Sequence, residues 1–382
     1  MKGFKNIRAY IYNHGIKTVD VGFENGKITY LGDANIIDEE IPFDNNQILL
    51  PGFIDEHIHG AAGYDVMDGN LYSLEKMSQA LLSEGVTSFV ATTMTAPIFK
   101  IETALKNVKD YILNQNESYS EVLGVHLEGP FISEKFSGVQ KKEYIIPPSK
   151  EVMDKLVSAS ENTIKIVTIA PEKSGSEEVI KYLKDKGITV SVGHSDADFE
   201  TLYKSVKIGV SSVTHTYNAQ SQFHHREIGI VGGALLLDEL YAELIADLNH
   251  VSIPAIRLLV KNKPKDKIIL ITDSMRAKYL KDGIYELGGN EVTVKDGKAV
   301  TKSGILSGSV LKMNDAIKNL VDLCGVPFTN AVDFATANPA KNLNVFDKIG
   351  SIEIGKQADF VLLSHDFTVS KTIKNGKIVY SK

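Results

Sequence analysis

Six short polar strings interrupt otherwise apolar runs in this 382-residue chain, and they hold most of its reactive side chains. They are Asp55-Glu56-His57-Ile58-His59, His126-Leu127-Glu128, His194-Ser195, His215-Thr216-Tyr217-Asn218, Asp247-Leu248-Asn249-His250 and Thr272-Asp273. His57 and His59 are two residues apart, so an extended strand would send both rings to one face. Two imidazoles on one face suit a borderline divalent cation. Alone, such a pair is more often a hydrogen-bonded structural pair than a ligand set. With Glu128, His194, His215 and Asp273 at the ends of other runs, the metal reading prevails. Imidazole nitrogens with carboxylate oxygens suit Zn²⁺, Fe²⁺, Mn²⁺ or Co²⁺, as one ion or two. Eight of the ten His lie between His57 and His250, a concentration that chance scatter would not give.

These strings need elements that bring them together. Eight β-rich runs are read: Gln47–Ile54, Thr87–Thr92, Val122–Leu127, Ile164–Ile169, Ile188–Gly193, Ser211–Thr214, Ala242–Ala246 and Lys267–Thr272. Helix-length segments alternate with them, among them Leu74–Glu84, Ile98–Leu113, Glu177–Lys186 and Ala197–Ile208. Strand–helix alternation means parallel strands with helical crossovers. Eight such units predict an α/β fold, a (β/α)8 TIM-like barrel, in which every strand end opens at one mouth. A doubly wound sheet is the alternative, but no Gly-x-Gly-x-x-Gly follows the first run. The two ends of the chain differ from its middle. Each carries an Asn-Gly turn between apolar runs, at Asn25-Gly26 and Asn375-Gly376, the mark of a tight hairpin. We expect residues 1–49 and 350–382 to build one small β-sandwich domain, and residues 50–349 the barrel.

Composition narrows the partners. With 43% hydrophobic and 24% charged residues the chain reads as globular, not disordered or membrane-spanning. A net charge of −6 offers no general attraction to nucleic acid or anionic lipid. One cysteine, Cys324, excludes an internal disulfide and a Cys-only metal site, and fits a reducing compartment. No leader-like core follows Met1-Lys2-Gly3-Phe4-Lys5, so the cytoplasm is expected.

The whole pattern resembles the amidohydrolase superfamily, with His-x-His after strand one, His after strands five and six, and Asp after strand eight. Within it, His126-Leu127-Glu128-Gly129-Pro130-Phe131 resembles the N-acetylglucosamine-6-phosphate deacetylase family. His215-Thr216-Tyr217-Asn218-Ala219, Ile245-Ala246-Asp247, Leu306-Ser307-Gly308-Ser309 and Ala335-Thr336-Ala337-Asn338-Pro339-Ala340 agree. The resemblance implies hydrolysis of N-acetylglucosamine 6-phosphate to glucosamine 6-phosphate and acetate. It implies Glu128, His194 and His215 as core metal ligands, with His57 and His59 completing a second position. A bound metal lowers the pKa of water from about 15.7 toward neutrality, giving hydroxide as nucleophile. Asp273 would serve as general base and acid. Asn218, Ala219, Arg226 and His250 would hold the phosphorylated sugar, with Leu306, Ser307, Gly308 and Ser309 closing over it. Arg226 would reach the site of a neighbouring subunit, which implies a homodimer.

The departures from the family lie around the sugar. Its Lys-Lys-Gly-Ala-His is here Phe136-Ser137-Gly138-Val139-Gln140, so a sugar-contacting His is replaced by Gln140. Its Asn-Ala-Met is Asn218-Ala219-Gln220, and its Asp-Gly-x-His is Asp247-Leu248-Asn249-His250. Gln140 and Gln220 keep N-acetylgalactosamine 6-phosphate open as the alternative substrate. A cyclic-amide hydrolase is a more distant alternative. Many such enzymes bridge metals with a carboxylated lysine near strand four, whereas here Lys173 falls beyond Pro171-Glu172.

Overall fold

A computed structural model describes residues 1–34 and 36–382. Its central sheet contains eight parallel strands in strict chain order: Phe53–Ile58, Val86–Thr92, Glu121–Glu128, Ile164–Ile169, Thr189–Val192, Val210–Val213, Tyr241–Ile245 and Ile268–Ile271. The eighth returns to the first. Asp273 N–H donates to the His57 carbonyl at 2.9 Å, and Ile58 bridges Ser274 in parallel. Helices at Leu71–Leu81, Ile98–Asn114, Lys150–Ala159, Ser176–Asp185, Phe199–Ile208, Gly229–Leu236 and Ile253–Asn262 cross between strands. Asn70, Ser149 and Asp198 cap three of them by accepting the N–H three residues on. Every residue of the first two strands is buried, because helices cover the outer face while polar side chains and an apolar plug of Ile54, Val90, Ile166 and Leu343 fill the inner one. This is the (β/α)8 barrel expected from the alternation.

Seven of the expected runs lie within a residue or two of the observed strands. The first does not. Gln47–Ile54 is two strands in two sheets: Gln47–Pro51 pairs antiparallel with Phe360–Ser364, and the barrel begins at Phe53. Both halves are fully buried, so hydrophobicity alone reads them as one run. Gly52 makes the passage, since a Cβ there would lie 2.1 Å from Thr87 Oγ1.

The terminal strands form one hydrogen-bonded path in which three strands from the end of the chain join four from its start at a single seam, Phe360–Ser364 against Gln47–Pro51. Residues 377–381, 369–374, 360–364, 47–51, 2–11, 15–24 and 27–32 follow one another, with 39–40 alongside 2–11. Phe23 and Phe360 stand on strands three places apart, roughly 14 Å along a flat sheet. Their rings are 5.6 Å apart, so the sheet folds over into two facing layers. Phe4, Ile7, Val21, Leu49, Leu362 and Ile373 fill the space between. Lys374 ties this lobe to the barrel: it is 1% exposed and pairs with Asp359 at 2.6 Å and with Glu121 on the third barrel strand at 2.8 Å.

A third, smaller sheet was not anticipated. Gly283–Leu287, Asn290–Lys295 and Lys298–Thr301 form an antiparallel meander after the eighth barrel strand. Leu287, Val292, Val294 and Ala299 pack it onto Met94 and Met275 above the barrel mouth. No helix among the described residues is long and apolar enough to cross a membrane.

Candidate metal centre and cleft

The third barrel strand delivers Glu128 to the centre of the mouth, 2% exposed. Gly129 turns the chain away at once with φ of 76°, where a Cβ would meet Thr95 Oγ1 at 2.0 Å. Four imidazoles converge on this carboxylate. Oε1 lies 3.1 Å from His215 Nε2, 3.2 Å from His194 Nε2 and 3.6 Å from His57 Nε2. Oε2 lies 3.3 Å from His59 Nε2. Asp273 Oδ1 faces the His-x-His pair at 3.5 Å and 3.3 Å.

The backbone is bent to make this meeting possible. His194, His215 and Asp273 take φ of 48°, 30° and 48°. Left-handed non-glycine residues cost on the order of 1–3 kcal/mol and persist only where the surroundings hold them. Here they end the fifth, sixth and eighth strands, and each turns its side chain onto the barrel axis.

The ring nitrogens decide what the cluster can hold. His194 Nδ1 donates to the Phe136 carbonyl at 2.7 Å, and His215 Nδ1 to the Asn218 carbonyl at 3.1 Å. A ring whose Nδ1 carries the proton presents a bare Nε2. The two bare Nε2 atoms are 3.1 Å apart, two lone pairs that only a cation can reconcile. His57 Nε2 is fully buried and has no hydrogen-bond partner. Glu128, His194 and His215 offer one atom each within 4.8 Å, and so do His57, His59 and Glu128. This donor set fits a divalent transition ion, or two sharing Glu128.

The electrostatics agree. Burial alone would lower His57, but Glu243, Asp273 and Glu128 push it up to about 9. Burial alone would raise Asp273, but His57, His59 and His215 pull it down to about 2. Glu128 is held well below the usual carboxylate range against its burial by His194, His215 and His57. Both carboxylates are thus ionised and favour positive charge beside them, which a protonated imidazole or a bound cation supplies. His126, buried and facing Thr168 Oγ1 at 2.7 Å, is kept neutral by burial and by the charge of His57.

Above the cluster opens a cleft of about 470 Å³. His59, Glu128, His194, His215 and Asp273 form its floor; Gln140, Asn218, Ala219, His250, Leu306, Ser307 and Gly308 line its walls. His250 Nδ1 is fixed by Asp247 at 2.7 Å, which leaves its other nitrogen for the cleft. Two expected residues stand elsewhere. Ser309 lies beneath the wall, where its N–H donates to the Asp273 carbonyl at 2.8 Å and holds that strained residue in place. Arg226 sits on an exposed loop, its guanidinium against His225, and does not line the cleft of its own chain. Gln140 lines the cleft, but its amide is engaged, donating to Glu128 Oε2 at 2.9 Å and accepting from Thr95 N–H at 2.8 Å. Gln220 is buried, donates to the Thr214 carbonyl and does not line the cleft. Strand four adds no ligand: Glu172 braces the loop after strand five through Ser195 Oγ at 2.6 Å.

The amidohydrolase family profile matches residues 48–379. The chain belongs to the amidohydrolase family. Among curated members, N-acetylglucosamine-6-phosphate deacetylase of Bacillus subtilis is 43% identical over 381 residues, 98% of this chain and 96% of that one. N-acetylgalactosamine-6-phosphate deacetylase of Escherichia coli O157:H7 is 36% identical, over 87% of this chain and 88% of that one. The crystal structure of N-acetylglucosamine-6-phosphate deacetylase from Thermotoga maritima superposes with a TM-score of 0.90 at 38% identity, covering all of both chains.

Five residues at the mouth lie outside the sequence-based expectations. Glu243, inside the seventh strand, accepts from His57 Nδ1; a lone Glu within Ala242–Ala246 was the available signal. Lys135 and Lys142 line the cleft, and Leu287 and Ile305 reach it from the inserted sheet. Nothing in the local pattern of those residues pointed inward.

Proposed function

We propose that this amidohydrolase removes the acetyl group from N-acetylglucosamine 6-phosphate, releasing glucosamine 6-phosphate and acetate. The observation that carries the reading is the convergence of four imidazole Nε2 atoms on Glu128, with Asp273 beside them at the floor of an open cleft. Relatives of that activity match over nearly the whole chain. A divalent ion held by Glu128, His194 and His215, with His57 and His59 for a second, would polarise the amide carbonyl and acidify the attacking water. Asp273 is ionised at neutral pH, as an ordinary Asp carboxyl already is, and the imidazoles beside it favour that form. It takes the proton of the attacking water and returns it to the departing sugar nitrogen. His250, Asn218 and the Ala219 region hold the phosphorylated sugar, and Leu306 to Gly308 cover it. Arg226 contributes from the exposed 222–227 loop of a second subunit, so the working unit is a homodimer in the cytoplasm.

N-acetylgalactosamine 6-phosphate is the second reading, supported by the relative from Escherichia coli. Its case from this chain is narrower than the sequence suggested, since Gln220 does not line the cleft and Gln140 is bound to Glu128. Acetate release is to be measured on both acetamido-sugar 6-phosphates, with metal content determined on the same sample. Faster turnover of the gluco substrate is expected. Release from neither, by metal-loaded protein, would overturn the proposal.

A further inference from the structure

Glu243 is the one acidic residue inside the seventh barrel strand, Tyr241–Ile245. It is fully buried, and among the described residues no Lys or Arg pairs with it. A buried carboxylate without a cationic partner is costly unless its surroundings supply positive charge or strong donors. One oxygen, Oε2, does two things. It faces His57 Nδ1 at 2.9 Å and accepts the backbone N–H of His215 at 3.0 Å. The backbone carbonyl of Glu243 accepts from Thr216 N–H at 2.9 Å, which fixes the strand in register with the His215 turn. Glu243 therefore grips the first strand and the sixth at the points where each presents an imidazole.

The consequence for His57 is chemical. With Nδ1–H committed to an anion, the ring must present Nε2 to the cluster, and that atom is buried without a hydrogen-bond partner. A carboxylate behind an imidazole also raises its basicity as a ligand. We propose that Glu243 is a positioning residue that locks His57 as an Nε2 donor and so gives the His57–His59–Glu128 position its hold on a metal ion. The Glu128–His194–His215 position does not need that lock, because backbone carbonyls fix both of its rings. The inference rests on the metal-dependent reading above.

Zn²⁺ alone is the probe. The full chain, stripped of metal, is titrated with Zn²⁺ against a chromophoric chelator for the wild type, Glu243→Gln, Glu243→Leu and Glu56→Gln. The wild type is expected to take up two ions per chain. Removing such an outer carboxylate typically weakens metal binding about 10–100-fold. Glu243→Leu should lose that much at the His57–His59–Glu128 site and clearly less at the other, where only the His215 backbone N–H loses its acceptor; Glu243→Gln should lose less, because its amide oxygen still accepts from Nδ1–H. Glu56 is a buried carboxylate bonded to Asn342, not to a ligand, so Glu56→Gln should keep both affinities. Should Glu243→Leu fail to fold, the Gln variant carries the test. Wild-type affinity at both sites in Glu243→Gln and every folded Glu243 variant overturns the inference. So does an equal loss at both sites, or an equal loss in Glu56→Gln. A wild type with one ion overturns it while leaving the deacetylase reading standing; a wild type that binds none overturns both.

Discussion

Replacing Asp273 with Asn separates chemistry from architecture at one atom. The residue takes φ of 48°, a conformation that Asn tolerates better than most side chains. Its backbone is pinned on both sides, by the His57 carbonyl at 2.9 Å and by Ser309 N–H at 2.8 Å. The amide keeps an oxygen facing His57 and His59, so fold and pocket shape should survive. What disappears is a base that is ionised at neutral pH. General acid–base help is worth about 10²–10⁴ in rate. At about 1.36 kcal/mol per tenfold, that is about 2.7–5.4 kcal/mol in the barrier. Steady-state acetate release should therefore show kcat lowered at least a hundredfold, with KM changed little because the proposed sugar-phosphate contacts, His250 and Asn218, are other residues of the cleft. Thermal melting and metal content are measured on the same preparation. A kcat within tenfold of wild type refutes the assignment. A lost kcat accompanied by lost metal would make Asp273 a ligand, not the proton carrier.

Three further outcomes follow from the geometry. Glu128→Gln exchanges the anionic centre of the cluster for a neutral amide, and metal retained after gel filtration should fall sharply; unchanged content would exclude Glu128 as a ligand. Lys374→Met leaves Asp359, 4% exposed, without its partner. Breaking a buried pair in this way costs about 3–5 kcal/mol, to be read as a lower urea midpoint, and an unchanged midpoint would show that the lobe junction does not depend on it. Lys263, held on the Leu237 carbonyl, is lowered by burial to about 8. Between about pH 8 and 10.5 the unfolded chain binds more protons there than the folded one, so wild-type stability gains a rising contribution with pH. Lys263→Met lacks that contribution; its advantage in Tm should be largest below pH 8 and shrink above it, and a pH-independent difference would contradict the argument.

The barrel was legible because each strand is a short apolar run ending in polar residues, and those ends are where chemistry gathers. Positions of ligands along the chain survive a one-residue error in strand boundaries, which is why the His–Glu cluster could be named. The split at Pro51-Gly52 was not legible, since two buried strands in series look like one. Nor was Glu243. The chain shows that a carboxylate lies within a strand, but only the closed barrel shows which imidazole it meets. The roles of Gln140 and Gln220 turned on side-chain direction, which spacing does not encode. Arg226 illustrates the converse, a motif residue whose own fold leaves it outside the cleft.

In the terminal sheet one seam joins strands from opposite ends of the chain, and this bears on synthesis. Strand Gln47–Pro51 leaves the ribosome early, yet its partner Phe360–Ser364 follows about 300 residues later. At about 5–20 residues per second, its N–H and C=O groups wait roughly 15–60 s for that partner. During that interval a fully buried apolar strand is an open edge, the kind of surface on which nascent chains pair with one another. That edge of Gln47–Pro51 is thus closed only when Phe360–Ser364 arrives.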